Sequence, residues 1–358
     1  MQKLKIIYMW PIWLLALGTQ AKSFKGNPIL GSRVLNMAGL HVLRVVLAHI
    51  SARFRWFLLA PLAPKHLRRA FRRDGFMLVE GFIDSDAITQ IRTEIGAYSG
   101  DVREMTQGDT ATQRILLDTA TKAQMPITNE TTANSRLRRY LAYAGGKFSH
   151  SVMYVQRIHN GFRSSHADPQ KNMHSDTFHP SMKAWLFLED VTEDKGPFTY
   201  VAGSARLTLK RLAWEYRQSV NAAKMNDKYS EKGSLRASGA ALKEMGLPEP
   251  RGITAKAGTL VIANTNGFHG RGQAAEDASR LELWAYSRHN PFSPWPGLPL
   301  DFILKIKHLA MQRNWQRLDR RAERRSSKAS WHLVPCDTMV AAYRSSDGSI
   351  SDHSVSDE

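Results

Sequence analysis

The chain has a single cysteine, Cys336, among 358 residues. This excludes an internal disulfide framework and any cysteine-rich zinc site, and it is compatible with a reducing compartment. Acidic residues are missing from the first 73 positions, and Asp74 is the first of them. Long apolar runs are missing too. The N-terminal candidate, Ile6 to Leu17, is 12 residues long and contains Pro11, whereas a membrane span needs about 20. No internal repeat is visible.

Positive charge is abundant, with a formal net charge of +18. Its distribution decides what it means. Residues 1–75 carry 13 Lys/Arg against Asp74, and residues 305–328 carry nine against Asp319 and Glu323. The part between them is close to neutral. Charge confined to the two ends points to an anionic surface that docks the protein, not to a basic cleft that reads nucleic acid.

Within the N-terminal run, Lys3 and Lys5 ahead of it and "TQA" after it mimic a secretory signal. Trp10 and Trp13 favour a segment lying in the headgroup zone. A second stretch, "GLHVLRVVLAHISARFRWFLLAPL" (39–62), sets His41, Arg44, Ser51 and Arg55 on one helical arc. Leu43, Val46, Leu47, Ile50 and Phe54 fall largely elsewhere. Two readings stand side by side: a basic helix lying on an anionic bilayer, or a core helix packed on the rest of the protein. On the first, residues 1–73 form a basic amphipathic extension, and removing 1–62 leaves a soluble, working domain.

From Asp74 the texture changes to short strands with glycine-rich corners, such as "KAWLFLEDV", "GTLVIANTNGFHG" and "SRLELWAYSRH". The pattern predicts a mainly β domain over 74–290, an antiparallel sandwich or barrel with packed helices. The charged stretch 208–246 reads as a helical lid or surface insertion, 291–335 as a basic helical segment, and 336–358 as a disordered tail.

"MHSDTFHPSMKAWLFLEDV" (173–191) holds the chemistry. An octahedral metal such as Fe(II) can be held on one face by two imidazoles and a carboxylate, leaving three positions open. His174 and Asp176, one residue apart beside a strand, point the same way. His269 in "ANTNGFHGRG" ends a second apolar strand among Gly267, Gly270 and Gly272 and is the best third ligand. Arg280 opens the next strand, where hairpin geometry returns it beside the metal to bind a dicarboxylate. His166 and Asp168 repeat the His-x-Asp spacing in a polar loop with no strand following, and are rejected.

With those residues in place, the chain from Asp74 to Arg288 resembles the phytanoyl-CoA dioxygenase family of Fe(II)/2-oxoglutarate oxygenases. The resemblance rests on "DGFMLVEGFID", "HSD", "KAWLFLEDV", "GPFTYVAGS", "FHG" and Arg280. It implies a double-stranded β-helix (jelly roll) with packed helices and Fe(II) as the metal. It also implies 2-oxoglutarate and O2 as co-substrates, and C–H hydroxylation with no catalytic residue beyond the metal ligands. It turns Arg157 and His159 of "YVQRIHN" inward toward the co-substrate, the alternative being a polar pair on a strand edge.

Arg271 stands where the family often has a small polar residue, and either adds a second cation near the co-substrate or turns outward. Asp176 is intact, which favours a hydroxylase over a halogenase. His179 either hydrogen-bonds substrate or caps the turn at Pro180, and Trp284 shares a strand face with Arg280 and can wall the pocket. The expected substrate is a small molecule, a lipid or an acyl-CoA-like compound. The expected location is cytoplasmic, at the inner face of the membrane, with an anionic membrane surface as partner and no nucleic acid. The competing reading, a catalytically silent jelly-roll ligand binder docked at the membrane, requires damage to the ligand set, and none is seen.

Overall fold

Along Ser279–Ser287, Arg280, Glu282, Trp284 and Tyr286 alternate with Leu281, Leu283 and Ala285. Because side chains alternate across a strand, this one separates two environments. The aliphatic set packs outward under helices, with Leu186, Ile262 and Val155. The other set faces the interior of the fold with Trp185, Phe198 and Tyr200.

The computed structural model describes residues 2–148, 150–160, 168–225 and 227–339. The strands are β1 (Phe76–Val79), β2 (Val102–Gln107), β3 (Thr110–Leu116), β4 (Val152–Asn160), β5 (Met182–Phe187) and β6 (Phe198–Tyr200). They continue with β7 (Arg251–Ile253), β8 (Leu260–Asn264), β9 (His269–Arg271), β10 (Ser279–Ser287) and β11 (His332–Val334). An eight-stranded antiparallel sheet runs β1-β8-β5-β10-β4-β3-β2-β11, and a three-stranded sheet runs β7-β6-β9. Together they form a double-stranded β-helix, as the sequence predicts. β11 is an addition: the segment after the C-terminal helix returns to pair with β2.

The helices are α1 (Gln2–Leu17), α2 (Arg33–Met37), α3 (Leu40–Leu58), α4 (Lys65–Arg73), α5 (Ser85–Ala97) and α6 (Thr119–Gln124). After them come α7 (Pro126–Ala133), α8 (Ser135–Gly145), α9 (Leu209–Val220), α10 (Lys228–Glu231), α11 (Gly239–Glu244) and α12 (Asp301–Glu323). Local signals place their ends. Asp84 caps α5 through Ala87 N–H at 2.8 Å, and Asn134 caps α8. Leu67 and Phe71 of α4, Ile91 and Ile95 of α5 and Leu137 and Leu141 of α8 cover the outer face of the large sheet. The insertion carrying α9–α11 buries Trp214, Leu235 and Leu242 against Phe24, Leu30 and Phe268.

α3 inverts the bilayer reading. His41, Arg44, Val45, Ala48, His49, Ala52 and Arg55 are the buried face, while Leu43, Leu47, Ile50, Phe54 and Phe57 are exposed. The basic arc points into the protein because it has partners there. Arg44 donates to the carbonyls of Leu17, Thr19 and Ala21 at 2.8–3.1 Å and lies 4.4 Å over the Phe178 ring. Arg55 donates to the Ser293 carbonyl. His41 meets Glu215 at 2.9 Å, and Glu215 accepts from Arg211 at 2.9 and 3.0 Å. Leu59, just beyond α3, belongs to the main core. The first 62 residues are therefore not a detachable extension.

At the other end, Cys336–Met339 forms a short 3-10 helix with Met339 in the core, so the expected tail does not begin at 336. Residues 340–358 lie outside the described residues.

Candidate metal centre

Two chain segments meet edge to edge to make the site. His174 and His269 exchange both main-chain hydrogen bonds, N–H to carbonyl in each direction at 2.9 Å. Asp176 N–H donates to the Thr265 carbonyl at 2.9 Å. The register places three side chains together. His174 Nε2 and His269 Nε2 each lie 3.7 Å from Asp176 Oδ1, and all three donor atoms fall within 4.8 Å of one another.

Local bonds fix how these groups present themselves. His174 Nδ1–H donates to the Asn172 carbonyl at 2.8 Å, and His269 Nδ1–H donates to the Gly267 carbonyl at 2.9 Å. A carbonyl only accepts, so each Nδ1 carries the proton and each Nε2 keeps a lone pair for a metal. His269 Nε2 is buried and makes no hydrogen bond. A buried ring nitrogen left unpaired beside a carboxylate is what a divalent ion would satisfy.

Charge supports the same state. Burial and the neighbouring His269 hold His174 well below the usual imidazole range, and burial pushes His269 down to about 4. Burial opposes ionisation of Asp176, yet the Lys183 ammonium beside it holds it well below the usual carboxylate range. Two neutral imidazoles and one carboxylate form the donor set that suits Fe(II) with positions left open. The residues fit the metal.

Gly267 is required by close approach. A Cβ there would lie 1.9 Å from the Tyr200 hydroxyl, which donates to the Asn264 carbonyl at 2.7 Å. Around this turn, Asn266 Nδ2 donates to the Thr177 carbonyl at 3.0 Å, and His49 Nε2 of α3 lies 3.1 Å from Asn266 Oδ1. The N-terminal helix thus braces both metal-bearing loops.

The remaining expected residues are placed unevenly. Arg280 is buried, donates to the Gly196 carbonyl and stands 3.2 Å from Glu282, whose burial raises its pKa. Arg271 is on the same face of β9 as His269 and pairs with Asp168 at 2.8 Å. Arg157 and His159 do not join them. In the β4–β10 register Arg280 faces Ile158 and Glu282 faces Gln156, while Arg157 faces Leu281 and His159 faces Ser279. Both therefore point to the helix-covered side, correcting the inward orientation. Arg157 binds Glu189 and Ser279, and His159 lies 3.3 Å from Gln113.

His179 is fully buried, and its Nδ1 donates to the Pro180 carbonyl at 3.0 Å, the turn-capping alternative. Trp284 shares the face of Arg280 but packs with Tyr154, Tyr286 and the Arg114 guanidinium. His166 lies outside the described residues.

Sequence reasoning missed two lysines. Lys183, on the interior face of β5, pairs with Asp176 Oδ2 at 2.8 Å. Lys22, from the connection between α1 and α2, donates to the Asp176 carbonyl. Burial and the nearby Arg288, Lys183 and Arg236 push the Lys22 amine down to about 8, against the pull of Asp176. Lys183 could have been found from the period-2 spacing to Trp185. Lys22 lies more than 150 residues from its partner, and no local signal marks it.

Residues 71–280 match the family model described as phytanoyl-CoA dioxygenase (PhyH). No curated protein matches the chain. Several solved structures are similar. The epimerase SnoN in complex with Fe3+, alpha ketoglutarate and nogalamycin RO is 18% identical, covering 63% of this chain and 83% of that chain, with a TM-score of 0.43. HygX from Streptomyces hygroscopicus with nickel and 2-oxoglutarate bound is 18% identical, covering 63% and 87%, with a TM-score of 0.39. EctD from S. alaskensis with bound Fe is 18% identical, covering 65% and 81%, with a TM-score of 0.40.

Proposed function

Since the chain belongs to the phytanoyl-CoA dioxygenase family of Fe(II)- and 2-oxoglutarate-dependent oxygenases, we propose that it hydroxylates a C–H bond of a small-molecule or lipid substrate bearing an anionic group. The observation that carries the oxygenase site is the unpaired Nε2 of His269 facing Asp176 and His174. Bound there, Fe(II) would supply the oxygen activation that drives both decarboxylation of 2-oxoglutarate and oxidation of the substrate.

The chain's own residues then divide the work. His174, Asp176 and His269 would hold the metal through two imidazole nitrogens and a carboxylate oxygen. Arg280, buried beside the interior face of β9, anchors the distal carboxylate of 2-oxoglutarate by a charge-assisted pair. Trp185 and Phe198, whose rings lie 4.2 Å apart beside His269, keep water from the reacting centre. Lys22 and Lys183 both approach Asp176, two ammoniums for one carboxylate, which favours a substrate carrying a carboxylate or phosphate.

The enzyme works on the cytoplasmic side, where its co-substrate is supplied, as a peripheral protein at an anionic membrane surface. Among the described residues no helix is long and apolar enough to cross a membrane. The test is iron-dependent conversion of 2-oxoglutarate to succinate by the purified full chain, repeated with lipid extracts to seek a hydroxylated product. Absence of iron-dependent succinate in every condition overturns the reading.

A further inference from the structure

Of the 23 large apolar side chains exposed among the described residues, 13 lie between Trp10 and Leu58 and six between Trp295 and Leu309. These two segments are neighbours. Asn290 donates to the Gly18 carbonyl, Ser51 to the Phe292 carbonyl and Arg55 to the Ser293 carbonyl, so the 290–296 loop lies along α3. On α3 the exposed Leu43, Leu47, Ile50, Phe54 and Phe57 follow spacings of three and four, one continuous stripe. On α12 the exposed Phe302, Ile306 and Leu309 continue at the same spacing into Arg313, Arg317 and Arg320. A soluble monomer rarely leaves so much contiguous apolar surface bare.

We infer that this outward face of α1, α3 and residues 295–309 inserts its apolar side chains into an anionic lipid bilayer. The inference deepens the peripheral-membrane part of the proposed function and rests on it. The charge around the face selects the occupant. Residues 1–73 contain no acid, and Asp301 is the single acid between 288 and 318. Arg33, Arg53, Lys65 and Arg69 are exposed around the apolar stripe. Apolar side chains ringed by cations match an acyl layer under anionic headgroups.

A second copy of the chain is a poorer match. A two-fold pairing of this face would set cations against cations, with Asp301 the single acid between 288 and 318 to answer them.

The basic arc of α3 is buried, so the contact is made by apolar side chains with cations at their rim. That ordering is testable with vesicles of phosphatidylcholine alone and of phosphatidylcholine with phosphatidylserine. The full-length protein should sediment with the anionic vesicles, and part of that binding should survive high salt. Leu47→Glu with Phe54→Glu should weaken it on the order of a hundredfold. Arg53→Gln should weaken it about fivefold, at low salt only. Lipids brominated along the acyl chain should quench tryptophan emission, and less so in Trp10→Phe/Trp295→Phe. Thermal unfolding and iron-dependent 2-oxoglutarate turnover of each variant serve as controls for the fold.

If the apolar double variant binds like the wild type, or if high salt removes all binding, insertion is wrong and peripheral docking stands. If the wild type binds no vesicle, both fall and the oxygenase assignment is untouched. If sedimentation velocity shows a dimer that the double variant dissociates, the face is covered by a second copy and the inference is overturned.

Discussion

Lys183 donates to Oδ2 of Asp176 at 2.8 Å, while Oδ1 of the same carboxylate stands 3.7 Å from both imidazole Nε2 atoms. The two oxygens are thereby assigned different partners. Oδ2 is occupied by an ammonium, which leaves Oδ1 as the oxygen that would bind a metal.

Lys183→Met should separate two effects. Without the ammonium the carboxylate can turn both oxygens to the metal, and a repelling charge is gone, so Co(II) affinity should rise about tenfold or more. Turnover of 2-oxoglutarate should fall, because the second oxygen takes a position a co-substrate needs. A Co(II) titration followed by its visible absorption reads affinity and coordination together. Affinity falling along with turnover would mean Lys183 is merely structural.

His174→Ala, Asp176→Ala and His269→Ala should each abolish iron-dependent turnover and weaken metal binding by tenfold or more, with the protein still folded by circular dichroism. His166→Ala should leave both unchanged. The reverse pattern would move the metal to the His166–Asp168 pair.

Arg280→Ala should raise the apparent KM for 2-oxoglutarate on the order of a hundredfold, since losing one partner of a buried charged pair costs about 2–5 kcal/mol. Metal binding should persist, as measured by titration. An unchanged KM would transfer the anchor to Arg271, even though Asp168 already engages it.

Acid stability should depend on Glu215. Burial would raise its pKa, but Arg211 and His41 outweigh it and hold the carboxyl down at about 2. A carboxyl depressed in the folded state stabilises the protein at pH values above its unfolded pKa. That stability disappears as pH falls from about 4.5 to about 2, and amounts to roughly 3 kcal/mol. Glu215→Gln should unfold more easily at neutral pH, and the gap to wild type should narrow across that window in pH-dependent urea melts. A constant gap would mean the carboxylate charge is not what stabilises.

Deleting residues 1–62 should destroy the fold. The deletion removes the fully buried Val45, Ala48 and Leu59, and takes His41 from Glu215 and His49 from Asn266. The truncated chain should lose its cooperative thermal transition and its metal binding. A soluble, active truncation would show that α3 is only an attachment.

The metal centre was legible because its determinants are local. A His-x-Asp at a strand mouth, a histidine ending a glycine-rich strand and an arginine opening the next each carry their own signal. What stayed hidden depends on which side an element turns. Period-2 spacing groups Arg157 with His159 but does not say which face meets the helices; the pairing of Arg157 with Leu281 decides that. A helical wheel separates the two arcs of α3 equally well whichever one is buried. Its cations go inward because carbonyls of Leu17, Thr19, Ala21 and Ser293 await them, and these come from distant segments. β11, three residues long, exists only by pairing with β2.

The reciprocal main-chain bonds between His174 and His269 have a consequence for how the protein acquires iron. The ligands are positioned by backbone stitching that forms when the chain folds, so no ordering remains to be done when an ion arrives. In metal-nucleated domains, binding and folding are one event and chelation unfolds the protein. Here chelation should leave the protein folded. Iron could be withdrawn and returned, or exchanged for another divalent ion, many times over within the life of one molecule.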